Sequence, residues 1–188
     1  MTGNWQNWGD KHCADILYRR ARDELPEMES SKAVARRIKA IWASGDTIRD
    51  VGCGAGHYLV SLRRELGARL DYCGVDHLRH HIELARKAFE NAPYARFELA
   101  DLYKLPYANS SFDIVTCNNL LQNLPALREP LCELMRVARR ALVMTTPISF
   151  ARCILTIRSS MPLASHSNTI FTPHSPDNAL SFGAAYAS

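Results

Sequence analysis

A chain of 188 residues, 47% of them apolar, is long enough for one domain with a hydrophobic core. Its net charge of +4 permits an anionic partner without requiring one, and no apolar run approaches membrane-spanning length. The six cysteines are scattered without a C-x-x-C pair, unlike the disulfide framework of a small secreted protein. The polar N-terminus lacks the apolar segment of a signal peptide, so we expect a reduced, cytoplasmic protein.

Two amphipathic helices are predicted ahead of the first strand. Residues 12–25 carry apolar side chains at helical spacing and end at Pro26, and a second helix is capped by Ser30 or Ser31. Much of the positive charge lies on these helices. A solvated face explains it better than nucleic-acid binding, because no aromatic residues interleave with it. Three aromatic residues of this leader could either cover a substrate or anchor the helices: Trp5, Trp8 and Tyr18.

Strands and helices alternate after this leader. The predicted strands cover 47–51, 70–76, 95–100, 112–117 and 141–146, and the helices cover 56–66, 78–90 and a segment with Pro130 in its first turn. Repeated β-α units form parallel sheets because each helix returns the chain to the same edge. We therefore predict an α/β fold: a Rossmann-like, doubly wound parallel sheet with helices on both faces.

The most informative segment is Asp50-Val51-Gly52-Cys53-Gly54-Ala55-Gly56. It links a buried strand to a helix, and its alternate glycines let the backbone bend tightly and approach a ligand closely. A dinucleotide-binding turn would have its third glycine at His57, and a P-loop would end in Gly-Lys-Ser or Gly-Lys-Thr. A carboxylate at Asp50 would repel a pyrophosphate but attract an ammonium or sulfonium group.

An acidic residue followed by G-x-G-x-G resembles the first motif of the class I S-adenosylmethionine (SAM) dependent methyltransferases. Three later segments match that family in order: Val75-Asp76, Ala100-Asp101-Leu102, and Ser111 to Asn118. Residues 134–144 resemble the helix and fifth strand that follow. The resemblance covers residues 45–147 and implies the strand order 3-2-1-4-5. It also implies SAM as methyl donor and transfer to a small-molecule acceptor by in-line displacement, with no catalytic residue assigned.

The residues that the resemblance assigns to the cofactor lie in the glycine turn or follow a strand. They are Asp50, Gly52, Gly54 and Gly56 for the methionine part, Asp76 for the ribose, Asp101 and Leu102 for the adenine, and the backbone near Asn118 for the amino group. His77, next to Asp76, is also assigned to the cofactor site. Open α/β sheets bind ligands at the edge where their parallel strands end. The positions of the acidic residues and of the asparagine therefore favour a ligand site over a merely structural turn.

Other functions remain open from the sequence. Gln122 stands in the loop where many small-molecule members of the family have histidine, and an amide takes no proton near neutral pH. The chain could therefore be an idle SAM-binding partner or regulatory module. A nicotinamide dehydrogenase is opposed by His57 in place of glycine. His77, His80 and His81 have a helical spacing that can gather a metal, but a solvated helix face is the simpler interpretation, and we expect no metal.

The sequence divides into a helical leader or lid over 1–44, a SAM-binding core over 45–147, and an irregular C-terminal segment over 148–188 that could be truncated. Residues 150–157 are apolar enough for a helix, whereas the remainder is rich in Ser, Pro, Asn and His. No pair of closing strands is expected from this composition. The fifth strand would then be an exposed apolar edge through which the chain could form a homo-oligomer.

Overall fold

A computed structural model describes residues 10–67, 70–148, 151–158 and 169–172. The leader forms two helices, α1 and α2, and the described residues that follow it form seven strands and three further α-helices. The helices are α1 Lys11–Ala21, α2 Glu29–Lys39, α3 Tyr58–Leu66, α4 Arg79–Ala88 and α5 Arg128–Val137, with a short 3-10 helix at Leu121–Asn123. The strands are β1 Thr47–Val51, β2 Asp71–Asp76, β3 Ala95–Leu99, β4 Phe112–Asn118, β5 Ala138–Ile148, β6 Ala151–Arg158 and β7 Thr169–Thr172.

All seven strands form one sheet in the order β3-β2-β1-β4-β5-β6-β7. The first five are parallel, so the predicted Rossmann-like sheet with strand order 3-2-1-4-5 is confirmed. Val51 pairs with Val75 on one side and with Cys117 on the other. This register brings the ends of the three central strands level with one another, next to the glycine turn.

The sheet continues beyond β5, which corrects two expectations. β6 pairs antiparallel along β5, from Ile148 opposite Ala151 to Ala141 opposite Arg158, so β5 is not an exposed edge. The helix expected over 150–157 is wrong for residues 151–157, and residue 150 lies outside the described part of the chain. An apolar run does not by itself distinguish helix from strand, and this one is rich in β-branched residues. The proposed homo-oligomer through an exposed fifth strand loses its structural basis.

A second strand also lies within the segment that was expected to be irregular. β7 pairs antiparallel with β6, with Thr169 opposite Ile157 and Thr172 opposite Ile154. The expectation of irregular structure is therefore wrong for residues 151–158 and 169–172. For residues 159–168 and 173–188 it falls outside the described part of the chain.

Alternating side chains divide the hydrophobic core between the two faces of the sheet. One face packs against α2, α3 and α4, and the other against α5 and the segment before β4. Buried residues on the first face include Ile48, Tyr72, Ile114 and Val143, and those on the second include Val51, Cys73, Val115 and Leu142. Such two-sided burial explains why the central strands are almost continuously buried, including the charged residues Arg49 and Asp50 of β1.

The second leader helix packs on α3 through small and apolar residues. Val34, Ala35 and Ile38 are fully buried. α2 begins after Met28 without a side-chain cap, so the predicted serine cap is wrong. Ser31 instead donates to the carbonyl of Met28 at 2.8 Å and accepts from the Ser61 hydroxyl at 2.9 Å. The two serines lie inside the first turn because they face α3 rather than solvent.

No helix within the described ranges has the length and apolar content needed to cross a membrane.

Candidate functional site

The glycine turn after β1 has a backbone that only glycine adopts easily. Gly52, Gly54 and Gly56 have φ angles of 76°, 56° and 81°, all in the left-handed region. The N–H groups of Gly52 and Cys53 both donate to the carbonyl of Val75, at 2.8 and 3.0 Å. The turn is therefore bound to the end of β2, beside Asp76.

Each glycine of the turn also lies against a different neighbour. A Cβ on Gly52 would stand 2.5 Å from Leu120, in the loop after β4, and one on Gly54 would stand 3.0 Å from Leu17 of α1. A Cβ on Gly56 would meet Phe97 at 2.9 Å, within the core. Gly56 is thus required for packing, whereas Gly52 and Gly54 face the loop and the leader helix that flank the strand ends.

Asp76 holds the glycine turn through its carboxylate. One oxygen accepts the N–H of Gly54 and the other accepts the N–H of Leu78, both at 2.9 Å. Two histidines lie nearby, with the Nδ1 atoms of His77 and His81 at 3.6 and 3.7 Å. Burial acts to raise the pKa of Asp76, but the neighbouring His81 and the hydrogen bonds from the two N–H groups outweigh it, and the pKa is lowered. Asp76 is therefore a charged carboxylate at neutral pH.

Asp50 lies deeper than Asp76. It is 1% exposed and accepts a hydrogen bond from the Tyr72 hydroxyl at 2.8 Å. Burial raises its pKa to about 7, against the lowering effect of the Tyr72 hydrogen bond and with a contribution from the charge of Asp76. Asp50 is thus partly protonated near neutral pH.

Asp101 and Leu102 begin the loop that follows β3. Asp101 is exposed and accepts the N–H of Tyr103 at 2.9 Å, whereas Leu102 is buried. The N–H of Ala100 donates to the carbonyl of Asp76 at 3.0 Å, so this loop starts directly beside the end of β2. The three predicted acidic residues therefore differ: Asp50 is fully buried, Asp76 is enclosed, and Asp101 is open to solvent.

Asn118, at the end of β4, has a buried acceptor without a partner. Its side chain is enclosed, and its amide nitrogen donates to the Thr116 hydroxyl at 2.8 Å. Its Oδ1 has no hydrogen-bond partner among the described residues. Because a buried carbonyl oxygen without a partner is costly, this atom is suited to a ligand that carries a hydrogen-bond donor.

Tyr58 and Asn119 also belong to the site, although neither is among the predicted site residues. Asn119 has a φ of 54°, and its side-chain amide donates to the Tyr58 hydroxyl at 3.0 Å. Tyr58 in turn donates to the Ser30 hydroxyl of α2 at 3.1 Å. The one available sequence signal is the asparagine itself, which tolerates left-handed backbone better than most residues.

The histidines do not form one ligand face. His81 is buried and His77 is exposed, while the rings of His80 and His81 stand 4.4 Å apart. His57 packs edge-on against Tyr58, and burial, with the charges of Arg20 and His81, lowers its pKa to about 3. Among the described residues, no group of three His, Cys, Asp or Glu side chains could hold a metal ion.

The chain matches the sequence profile of a family described as "Methyltransferase domain" over residues 43–169. Two similar proteins are the demethylmenaquinone methyltransferases of Oceanobacillus iheyensis and Deinococcus radiodurans. The first is 31% identical over 98 residues, which are 51% of this chain and 41% of that protein. The second is 33% identical over 104 residues, which are 55% of this chain and 43% of that protein. The chain spans less than half the length of these relatives.

Solved structures with the same fold include several methyltransferases. A SAM-dependent methyltransferase from Aquifex aeolicus is 20% identical with a TM-score of 0.52, over 63% of this chain and 66% of that chain. A methyltransferase described as SAM-dependent, from Methanococcus maripaludis, is 14% identical with a TM-score of 0.59, over 77% and 65%. A cyclase is 21% identical with a TM-score of 0.56, over 62% and 43%. At these identities the likeness concerns the fold alone, because one fold hosts different reactions.

Proposed function

Because this chain belongs to the class I S-adenosylmethionine-dependent methyltransferases, we propose that it transfers a methyl group from SAM to a small-molecule acceptor. The observation that carries the proposal is the buried Oδ1 of Asn118, which has no partner and stands at the end of β4. SAM carries an ammonium group, which can donate a hydrogen bond to such an oxygen. The charged carboxylate of Asp76 at the end of β2 complements the same positively charged ligand.

The residues present fit SAM in their chemistry. Each oxygen of Asp76 accepts one backbone N–H and keeps a further lone pair, which suits the ribose hydroxyls, with His77 beside it. Asp101 and Leu102 offer a carboxylate and an apolar surface for the adenine. The remaining residues that would hold the methionine part and its amino group are Asp50, Gly52, Gly54, Gly56 and Asn118.

SAM supplies a methyl group already activated by a positively charged sulfur, so the protein need not form a covalent intermediate. What these residues contribute is alignment of the two reactants and exclusion of water. Leu17 and Leu120 cover the glycine turn from two sides and limit its contact with solvent. Gln122 is exposed and offers no base, so an in-line displacement releases the acceptor proton to water.

A small-molecule acceptor is favoured by the relatives and by the charge distribution. Both demethylmenaquinone methyltransferases align with about half of this chain, 51% and 55% of its residues. Of the basic residues of α2, by contrast, Lys32 and Lys39 pair with glutamates at 2.8 and 3.0 Å. Demethylmenaquinone in reduced form is therefore the first acceptor to test, with phenols and amines beside it.

Two measurements test the proposal. Calorimetry with SAM and with its demethylated product, S-adenosylhomocysteine, is expected to give one saturable site for each. Transfer of tritium from methyl-labelled SAM into the acceptor panel is expected for at least one compound. Absence of binding at millimolar-scale ligand, about the weakest affinity of biological use, would overturn the assignment of the cofactor.

A second function, SAM binding without methyl transfer, is favoured by the exposed Gln122 in place of a base. The structural likeness to a cyclase shows that this fold is not restricted to transfer enzymes. Binding of S-adenosylhomocysteine together with no tritium transfer to any acceptor of the panel would select this alternative.

A further inference from the structure

A chain of three side chains connects the leader to the loop after β4. The side-chain nitrogen of Asn119 donates to the Tyr58 hydroxyl at 3.0 Å, and the Tyr58 hydroxyl donates to Ser30 Oγ at 3.1 Å. Tyr58 is 3% exposed and Ser30 is 4% exposed, so this chain is shielded from water. Hydrogen bonds in such a setting hold their geometry more strongly than exposed ones.

The direction of this chain determines how the Asn119 amide is oriented. A tyrosine hydroxyl has a single proton, and here it is directed to Ser30, so toward Asn119 the oxygen can only accept. The amide must therefore turn its nitrogen to Tyr58 and its Oδ1 away. Reversing the amide would place two acceptor oxygens against each other.

The backbone of Asn119 is held as well. Its N–H donates to the Thr145 hydroxyl at 3.2 Å, and its carbonyl accepts from the side chain of Asn123 at 3.1 Å. These bonds hold Asn119 in the left-handed conformation, with a φ of 54°. Of its polar groups, only Oδ1 has no hydrogen-bond partner in the described part of the chain. Three hydrogen bonds to Asn119 thus hold one free acceptor next to Asn118.

We propose that Oδ1 of Asn119 accepts a hydrogen bond from the methyl acceptor, and that Tyr58 is a positioning residue that keeps the amide oxygen directed toward it. This inference rests on the proposed function, since it places the acceptor beside the end of β4, where Asn118 would hold the cofactor. Leu120, the next residue, lies against Gly52, so the same loop contacts the glycine turn.

The proposal restricts the class of acceptor. The acceptor must carry an N–H or O–H group, either at the atom that is methylated or next to it. In the transfer, the acceptor lone pair forms the new bond to the methyl carbon while the carbon–sulfur bond breaks and its electron pair goes to sulfur. The proton of a methylated N–H, O–H or C–H group leaves to water. Thioethers and tertiary amines without another donor are therefore expected to be poor acceptors.

The test compares Tyr58→Phe with Tyr94→Phe. The second variant is a matched control, because the Tyr94 hydroxyl is buried without a hydrogen-bond partner in the described part of the chain, so its removal breaks no hydrogen bond. Asn119→Ala removes the acceptor oxygen itself. Titration with S-adenosylhomocysteine is expected to give affinities within about threefold of the original protein for all three variants, because none removes a group assigned to the cofactor.

Methyl transfer is then measured with reduced demethylmenaquinone, catechol and aniline as donor-bearing acceptors, and with thioanisole and N,N-dimethylaniline as acceptors without a donor. For a donor-bearing acceptor, Asn119→Ala is expected to lower kcat/KM by about tenfold or more, and Tyr58→Phe by about threefold to tenfold. Tyr94→Phe is expected to match the original protein. Equal use of the two acceptor classes, or equal losses in both tyrosine variants, would overturn the proposal.

Two further results keep this test separate from that of the proposed function. If S-adenosylhomocysteine does not bind the original protein, the proposed function itself fails. If it binds but no acceptor with a donor group is methylated, the inference about Asn119 is overturned while the cofactor assignment stands. NMR of the side-chain amides gives a readout that needs no acceptor: Tyr58→Phe is expected to speed hydrogen exchange at the Asn119 amide. Unchanged exchange in that variant would also overturn the role of Tyr58.

Discussion

The carboxylate of Asp76 accepts the backbone N–H of Gly54 at 2.9 Å, across 22 residues of sequence. The same carboxylate also accepts the N–H of Leu78, which joins the start of α4 to this side chain. The charged end of β2 and the glycine turn after β1 are therefore one structural unit. A change at Asp76 should affect folding as well as ligand binding.

Replacing Asp76 by Asn tests this double role. Asn keeps the size of the side chain but loses the charge and can accept with one oxygen only. We expect a loss of about 1.5–3 kcal/mol in the free energy of unfolding, the scale of hydrogen bonds to a charged group. The affinity for S-adenosylhomocysteine should fall as well, by about tenfold or more. Thermal unfolding and calorimetry measure the two effects.

Asp101→Asn is the matched control for this variant. Asp101 also follows a strand, but it is exposed and accepts only the N–H of Tyr103 in the described structure. Asp101→Asn should leave the free energy of unfolding within about 0.5 kcal/mol of the original value. Equal destabilisation by the two substitutions would contradict the conclusion that Asp76 holds the glycine turn and the start of α4 together.

The pH dependence of stability is expected to contain two opposing contributions, from Asp50 and His57. The folded pKa of Asp50 is raised to about 7, so the stability that it contributes is present below its unfolded pKa and is lost as the pH rises toward 7. The folded pKa of His57 is lowered to about 3, so its contribution is present above its unfolded pKa and is lost as the pH falls. With unfolded values of about 3.9 and 6.5, the two slopes oppose each other between about pH 4 and 6.5.

Single substitutions should separate these slopes. In Asp50→Asn, the opposing contribution of Asp50 is removed, and the free energy of unfolding should rise more steeply between about pH 4.5 and 6 than in the original protein. In His57→Gln, the contribution of His57 is removed, and the free energy of unfolding should rise less, or fall, over the same interval. The double variant should keep only the slope of the other shifted groups, such as Asp76, whose pKa is lowered. Urea unfolding at both pH values measures each slope, and equal slopes in the two single variants would contradict the assignment.

The sequence predicts the strand ends well because the signals there are local. Asp76 and Asn118 each close an apolar run, and the glycine turn follows β1 directly, so short stretches suffice to place all three. The contact of Tyr58 with Asn119 joins residues 61 positions apart and depends on how α3 packs beside β4. A short sequence pattern cannot predict a contact between residues so far apart in the chain.

The C-terminal strands were missed for a different reason. β6 and β7 are stabilised by pairing with a neighbour, whereas composition reports only which residues are apolar. The serine cap predicted at the start of α2 is wrong for a similar reason, because packing decides where Ser30 and Ser31 lie. Serine favours helix starts, but packing against α3 places both residues inside the first turn, where Ser31 bonds to Ser61.

Gly54→Ala tests whether the leader closes over the glycine turn. Gly54 has a φ of 56°, and an added Cβ would stand 3.0 Å from Leu17, so the substitution both strains the backbone and displaces α1. We expect a destabilisation of about 1–2 kcal/mol from the backbone, and weaker binding of S-adenosylhomocysteine. Gly54→Val should be more strongly destabilised and should bind S-adenosylhomocysteine more weakly, because valine has a branched side chain.

Gly67→Ala separates the effect of backbone strain from the effect of the contact between an added Cβ and Leu17. Gly67 also has a positive φ, of 92°, but no described atom lies within 4 Å of an added Cβ. This variant should lose about 1 kcal/mol or more of stability and keep its ligand affinity. If Gly54→Ala binds S-adenosylhomocysteine as well as Gly67→Ala does, the glycine turn does not form the cofactor site.

Arg49 is a buried cation on β1 that holds the segment before β4. Its guanidinium carbon lies 4.1 Å from the ring centre of Tyr107 and 3.9 Å from that of Phe112. The same group donates to the Tyr107 hydroxyl at 3.1 Å, and Tyr107 donates to Glu98 at 2.6 Å. The loop that begins with Asp101 is thereby attached to β1.

Arg49→Met should loosen that loop without unfolding the sheet. Methionine fills much of the volume, and the hydrogen bond between Tyr107 and Glu98 does not depend on Arg49. Two buried cation–π contacts, the hydrogen bond to the Tyr107 hydroxyl and the ion pair with Glu98 at 3.7 Å are lost, so we expect a net destabilisation of about 1–3 kcal/mol. Hydrogen exchange should increase for residues 101–111 and change little in β1 and β2.

Arg63→Met provides the comparison, because Arg63 is exposed and stacks over Tyr94 at 5.3 Å, away from this loop. Exposed contacts of this kind contribute about 0.5–1 kcal/mol, so the variant should be only slightly destabilised, with unchanged exchange at 101–111. If Arg49→Met leaves that exchange unchanged as well, Arg49 stabilises only its own strand. The placement of Asp101 would then depend instead on Arg136, which donates to the carbonyls of Leu105 and Tyr107 from α5 at 3.0 and 2.6 Å.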